Sequence, residues 1–163
     1  MRLGSAIVSV HDQQRALADE LRKVADRHAV EHDVYHTCHT LALKADEAAE
    51  TLAPFAGRYG EPVRDGSRSE VWQSLLERVR RAGSEVAGRS TLPAVLLLRD
   101  LRDVYLGAQE CGLGWTTLRQ GASAARDGEL LAACDAGMEG AERVAKWAKT
   151  RIKEAAPQVL VGE

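Results

Sequence analysis

The chain has 163 residues, a length that fits one domain with its own hydrophobic core. Its 22 Lys and Arg residues nearly balance 24 Asp and Glu residues, so no overall field favours nucleic acid or an anionic membrane as a partner. Hydrophobic residues make up 45% of the chain but aromatic residues only 4%, so Leu, Val and Ala must fill the interior. This composition predicts closely packed helices.

The first predicted helix is unusually long and covers about residues 10–54. Ser9 can cap its start, and apolar residues recur at helical spacing after it. Pro54 is the first strong helix breaker that follows. We therefore expect one uninterrupted helix over this range.

Three shorter helices are predicted beyond it. They cover about residues 69–87, 92–122 and 128–156. The segment Ser67-Arg68-Ser69-Glu70 has the form of a capping box at the start of the first of these, and Pro93 suits the first turn of the next. The last helix starts after Asp127 and is expected to stop at Pro157.

Four helices joined by mostly short connections are expected to alternate in direction, because a short loop cannot carry the chain back along a whole helix. No run of alternating hydrophobic residues competes as a strand. The sequence thus predicts an all-α, up-down-up-down four-helix bundle that forms a single domain over residues 1–163.

Three cysteines, Cys38, Cys111 and Cys134, lie far apart in the sequence. Their odd number and wide spacing argue against a disulfide framework and predict free thiols in a reducing compartment. The apolar run near the N-terminus is too short for a signal peptide, and no stretch approaches the length of a membrane span. We therefore expect a cytoplasmic protein without a membrane partner.

Four of the five histidines, His28, His32, His36 and His39, fall within one short stretch at spacings of four, four and three residues. On one helix this spacing confines them to an arc of roughly 80°. Two imidazoles four residues apart can hold one metal ion, so His28 with His32, or His32 with His36, would form a chelating pair. His39 could complete or orient such a site. We expect His32 and His36 to make the direct contacts.

The hydrophobic pattern leaves the direction of this histidine stripe open. Apolar residues before Val30 place it on the inward side, whereas a second apolar stripe from Val30 to Leu52 lies on the opposite side. Both patterns fit if the helix is covered on two sides, if it bends near Val30 to Asp33, or if the histidines meet a second subunit. The stripe therefore points into the bundle, to a dimer partner or to solvent.

Four further residues are candidates for a second shell around the histidines. Tyr35 lies beside the stripe, and Asp100 is the third-helix carboxylate nearest the inward side. Cys111 and Trp115 stand among three glycines of the third helix, where a distortion would open space opposite the histidines.

The four-helix plan, with His32-x-x-x-His36-x-x-His39 in its first helix, resembles the ferritin-like superfamily, particularly its small bacterial members. The resemblance implies the bundle fold and an ancestral inward-facing site that binds iron or another metal. The Glu-x-x-His pairs of di-iron members are not intact here, since Leu113 follows Glu110 at that distance and Glu142 follows Glu139.

Two functions follow from these observations. In the first, the histidine site binds a metal ion, iron or zinc, or a small molecule, in a degenerate oxidoreductase or tailoring enzyme. Without a metal, a histidine would act as a general base. In the second, the protein is a non-catalytic module whose first helix dimerises or docks a partner.

Overall fold

The structure is a computed structural model that describes residues 2–64 and 93–161. These two ranges contain four α-helices and no strand, which confirms the predicted all-α class for this part of the chain. In chain order the helices are α1 (Leu3–Arg27), α2 (His32–Arg58), α3 (Pro93–Ala124) and α4 (Gly128–Val161). The predicted helix at residues 69–87 lies outside the described residues.

The prediction of one long helix over residues 10–54 is wrong, because this stretch forms two helices. The first, α1, begins before Ser9 and ends at Arg27, where the His28 amide donates to the Val24 carbonyl at 3.0 Å. A short turn follows and α2 begins at His32. The reason is the change of apolar side at Val30: only a chain that folds back can bury both apolar stripes, against each other and the rest of the core.

Both prolines that were expected to end helices lie inside them. In α2 the helix passes Pro54 and continues to Arg58, because Leu52 and Ala56 on either side of the proline are fully buried and hold the backbone in place. In α4 the helix passes Pro157, so the predicted end at residue 156 is too early. In α2, burial of the neighbouring turns thus outweighs the local preference of proline.

Contacts between side chains fix the direction of α2 against α1. The Arg15 guanidinium lies 3.1 Å from the Asp46 carboxylate, and His39 lies 3.7 Å from Asp26. Residues later in α1 therefore meet residues earlier in α2, so the two helices form an antiparallel hairpin.

Side-chain contacts and loop length fix the directions of α3 and α4. The Arg27 guanidinium donates to Asp100 at 2.6 Å, and the Cys111 thiol donates to the Gln13 carbonyl at 3.4 Å, so α3 runs antiparallel to α1. A connection of only residues 125–127 then makes α4 antiparallel to α3. The four described helices run up, down, down, up.

This order differs from a simple alternation of four helices, because α2 and α3 run in the same direction. The end of α2 and the start of α3 lie at opposite ends of the bundle. Alternation along the whole chain depends on the predicted helix at 69–87 and stays a prediction.

Leu, Val and Ala form most of the buried core, as the composition predicts. Among the described residues, Trp115 is the largest fully buried side chain, and its indole occupies the space left by Gly137 on α4. The small residues of α4 therefore serve close helix packing at this position.

Two helices project beyond the turn between α1 and α2. Arg151 of α4 is level with Asp33 at the start of α2, at 3.6 Å, so the rest of α4 extends about 15 Å further at 1.5 Å per residue. The first turns of α3, from Pro93 to Asp100, extend in the same direction. These projections form the walls of the site described next.

Candidate functional site

A cavity of about 470 Å³ lies at this end of the bundle, between the α1–α2 turn, the start of α3 and the end of α4. We call it the end cavity. Its volume falls within the usual range for small-molecule sites. Its apolar wall consists of Val30, Pro93, Ala94, Leu97, Ala155 and Val159. Its polar wall consists of Arg27, His28, Glu31, Arg151, Glu154 and Gln158.

The most deeply buried polar group beside the end cavity is a hydrogen-bonded network of His28, Asp100 and Arg27. Asp100 has no exposed surface, and only 6% of the His28 side chain is exposed. One carboxylate oxygen accepts a hydrogen bond from Nη1 of Arg27 at 2.6 Å, and the other accepts one from Nε2 of His28 at 2.8 Å. We call this the His28–Asp100–Arg27 network.

Local sequence places each member of the network. Asp100 follows Leu97 by three residues and precedes Val104 by four, so all three share the buried side of α3. His28 closes α1, directly after Arg27 in its last turn. The reversal of the chain at this point carries both side chains to Asp100.

The charges of the network are matched within it. A buried carboxylate is costly unless it is paired and hydrogen-bonded, and Arg27 supplies both the opposite charge and a hydrogen bond. Because the carboxylate accepts at His28, Nε2 of the ring carries the proton. The other ring nitrogen, Nδ1, has no hydrogen bond to a described residue.

The structure separates the four histidines of the predicted stripe. His28 lies in the turn after α1, whereas His32, His36 and His39 belong to α2. Of these, His32 and His36 are exposed, which is contrary to the expectation that they share an enclosed site. His39 is half-buried, and its ring lies at 4.6 Å, edge to face, from the ring of Tyr35.

The predicted metal centre has no counterpart in the described part of the chain. Within residues 2–64 and 93–161, no three His, Cys, Asp or Glu side chains come close enough to hold a metal ion together. The break after α1 is the reason, because it removes His28 from the helix that carries the other three. Asp100, predicted as a partner of the histidines, does contact His28.

Cys111 and Trp115 do not belong to this site. They lie on α3, roughly 16 and 22 Å along the helix axis from Asp100 at 1.5 Å per residue. The predicted distortion beside them is not seen, since α3 is one continuous α-helix.

All three cysteines are buried free thiols, as the sequence predicts. Burial raises the pKa of the Cys38 and Cys111 thiols to about 12, and that of Cys134 to about 11. A thiol is nucleophilic only as the thiolate, so these side chains act as core residues.

Sequence reasoning missed Arg27 and Arg151. The signal for Arg27 was its place beside a histidine in the last turn of a helix, but the predicted helix did not end there. No feature of the sequence indicates a role for Arg151, because its contact with Asp33 depends on how far α4 projects past the α1–α2 turn. Its other ion pair is with Glu154 on the same helix.

Comparisons of this chain with protein-family models, with curated proteins and with solved structures find no match. The resemblance to ferritin-like bundles therefore stays a prediction. None of the four helices has a stretch long and apolar enough to cross a membrane.

Proposed function

We propose that this protein binds a small organic molecule in the end cavity, with His28 as its main polar contact. One observation carries the proposal: a buried imidazole on the cavity wall is held by a fully buried carboxylate, which is itself paired with an arginine. An apolar cavity with a few convergent polar groups is the usual form of a small-molecule site.

The geometry favours an organic ligand over the metal ion that the sequence also suggested. Nε2 of His28 is committed to Asp100, and the exposed rings of His32 and His36 stand on a different helix. A metal ion in the end cavity would thus find one imidazole nitrogen and no second histidine. The apolar side chains of the wall can pack against hydrocarbon, but they offer no ligand atoms to a hydrated cation.

Binding alone is the proposed activity. A histidine whose ring is oriented by a carboxylate can also act as a general base towards a bound molecule. The roles as a degenerate oxidoreductase, as a tailoring enzyme or as a homodimer, the ferritin-like ancestry and the cytoplasmic location stay predictions.

Filling the cavity tests the proposal. A library of small aromatic and aliphatic fragments is screened against the full chain by amide chemical-shift mapping. We expect binders that shift the amides of Val30, Leu97 and Val159. In Ala155→Trp the indole occupies the cavity, so these shifts should disappear.

The matched control is Ala136→Trp, which introduces the same side chain at an exposed position of the same helix. This variant should bind as the original protein does. Fragments that bind equally well to Ala155→Trp, or that shift only amides elsewhere in the bundle, would overturn the proposed function.

A further inference from the structure

The walls of the end cavity specify the class of ligand as well as its place. This inference rests on the proposed function and names the chemistry of the molecule bound. Three features decide it: the hydrogen-bonding role left to His28, the balance of charge around the cavity, and the share of the wall that is apolar.

The first feature is the role of the His28 ring. Arg27 has only donors, so it neutralises the Asp100 carboxylate without competing for the ring proton. The carboxylate then holds the proton on Nε2 of His28 at 2.8 Å. In a neutral imidazole this leaves Nδ1 as a hydrogen-bond acceptor. The site therefore calls for a ligand that donates a hydrogen bond.

The second feature is charge. Arg151 lies 2.8 Å from Glu154 and 3.6 Å from Asp33, so its charge is already matched. Glu31 is the remaining acid on the wall, and Arg27 is paired with Asp100. Among the described residues, the wall holds no surplus positive charge for a carboxylate or phosphate and no acidic cluster for an ammonium group.

The third feature is the apolar wall, to which the turn, α3 and α4 each contribute: Val30, Leu97 and Val159. Burial of hydrocarbon against such a surface is favourable, because it removes apolar area from water. A ligand that is mostly apolar and carries one polar group would satisfy it.

We propose that the end cavity takes a neutral, largely apolar molecule with one hydroxyl group, a phenol or an alcohol, whose O–H donates to Nδ1 of His28. In this arrangement the hydroxyl is oriented by His28, and Asp100 and Arg27 act as positioning residues. They fix the ring tautomer without touching the ligand.

Four probes of nearly equal size separate the ligand classes. They are p-cresol, 4-methylanisole, benzoate and benzylammonium. Binding is followed on the full chain by amide shifts and by the ¹⁵N resonances of the His28 ring, which report the tautomer. We expect p-cresol to bind and to shift Nδ1. We expect 4-methylanisole, which lacks the donor, to bind about tenfold more weakly, the value of one net hydrogen bond.

The variant Asp100→Asn tests the positioning role. Arg27 would take the amide oxygen of the new side chain, so the amide N–H₂ would face Nε2 of His28 and move the ring proton to Nδ1. The ¹⁵N spectrum should show the opposite tautomer. The tenfold preference for p-cresol over 4-methylanisole should disappear, although both should still enter the cavity.

Two control variants change comparable groups away from the cavity. Glu110→Gln removes an exposed carboxylate from the same helix as Asp100, and His32→Gln removes an exposed histidine. Both should keep the tautomer and the preference for p-cresol.

The outcomes distinguish the ligand class from the site itself. Benzoate or benzylammonium binding in the end cavity more tightly than p-cresol would overturn the hydroxyl proposal and leave the binding function intact. A His28 ring protonated on both nitrogens at pH 7 would overturn it as well. If none of the four probes shifts a cavity amide, the proposed ligand class is overturned. If the fragment screen also finds no molecule that binds in the end cavity, the proposed function is overturned as well.

Discussion

At the scale of single residues, the clearest packing constraint is the contact between Gly137 and Trp115. A methyl group at Gly137 would overlap the indole ring of Trp115, of which only 1% is exposed. Because a buried core is closely packed, the ring has little free space into which it could move. Glycine is needed here for space and not for an unusual backbone angle. The same helix carries Gly140, around which nothing lies within 4 Å of an added methyl group.

We predict that Gly137→Ala lowers the free energy of unfolding by about 1–3 kcal/mol, the usual cost of overpacking a core. Gly140→Ala is the matched control and should raise it by about 0.5–1 kcal/mol, because alanine favours the helix over glycine. Urea denaturation followed by tryptophan fluorescence measures both. Equal effects of the two substitutions would contradict the packing of Trp115 against Gly137.

Asp100 can be identified as a candidate from the sequence, whereas Arg27 cannot. An acidic residue on the apolar side of a helix stands out in the sequence, since aspartate is rarely buried without a partner. Its partners lie more than 70 positions earlier in the chain, and only the antiparallel packing of α1 against α3 brings them to it.

At the scale of secondary-structure elements, the end of α2 is tied to the start of α4 by Asp127. One carboxylate oxygen accepts from the Leu130 amide at 3.0 Å and caps α4, as the sequence predicts. The other accepts from the Tyr59 hydroxyl at 2.9 Å and from Arg58 at 3.3 Å. These contacts, the Leu130 hydrogen bond first, lower the pKa of Asp127 below its usual value of 3.8.

This lowered pKa predicts a dependence of stability on pH. Because the folded chain favours the ionised carboxylate more than the unfolded chain does, the contribution is fully present above about pH 4. It is lost as the pH falls through the lower pKa of the folded state. In Asp127→Asn the charge is absent at every pH, so the melting temperature should fall less between pH 5 and pH 2 than in the original protein.

The measurement is a series of thermal melts across that pH range. Asp135→Asn, at an exposed position of the helix that Asp127 caps, is a control that removes another arginine-paired carboxylate, since Arg119 lies 2.6 Å from Asp135. Identical acid sensitivity of the original protein and Asp127→Asn would contradict the role assigned to Asp127.

At the scale of the whole molecule, the described helices share one hydrophobic core. The three buried thiols report on it from three different helices: Cys38 from α2, Cys111 from α3 and Cys134 from α4. A single core of this size is expected to unfold cooperatively.

We predict that no thiol reacts readily with Ellman's reagent at pH 8 in the folded protein, because burial both blocks access and raises the thiol pKa to about 11 or 12. All three should react in 6 M guanidinium chloride. At intermediate denaturant they should react with one shared rate constant, which mass spectrometry of labelled peptides can resolve. Early labelling of Cys38 alone would show that α2 separates from the other helices before global unfolding.

The helical class, the Leu, Val and Ala core, the free thiols and the cap at Asp127 could all be predicted from the sequence. These follow from periodicity and local chemistry, which act over a few neighbouring residues. The bounds of α3 also agree closely with the predicted range of 92–122.

The break after α1, which separates His28 from the other three histidines, depends on packing between helices. Nothing in the residues 28–31 breaks a helix locally, since glycine and proline are both absent there. The turn forms because folding back buries two apolar stripes together, a gain that appears only when both helices and α3 are in place. That same event places His28 against Asp100 and leaves His32 and His36 exposed on another helix.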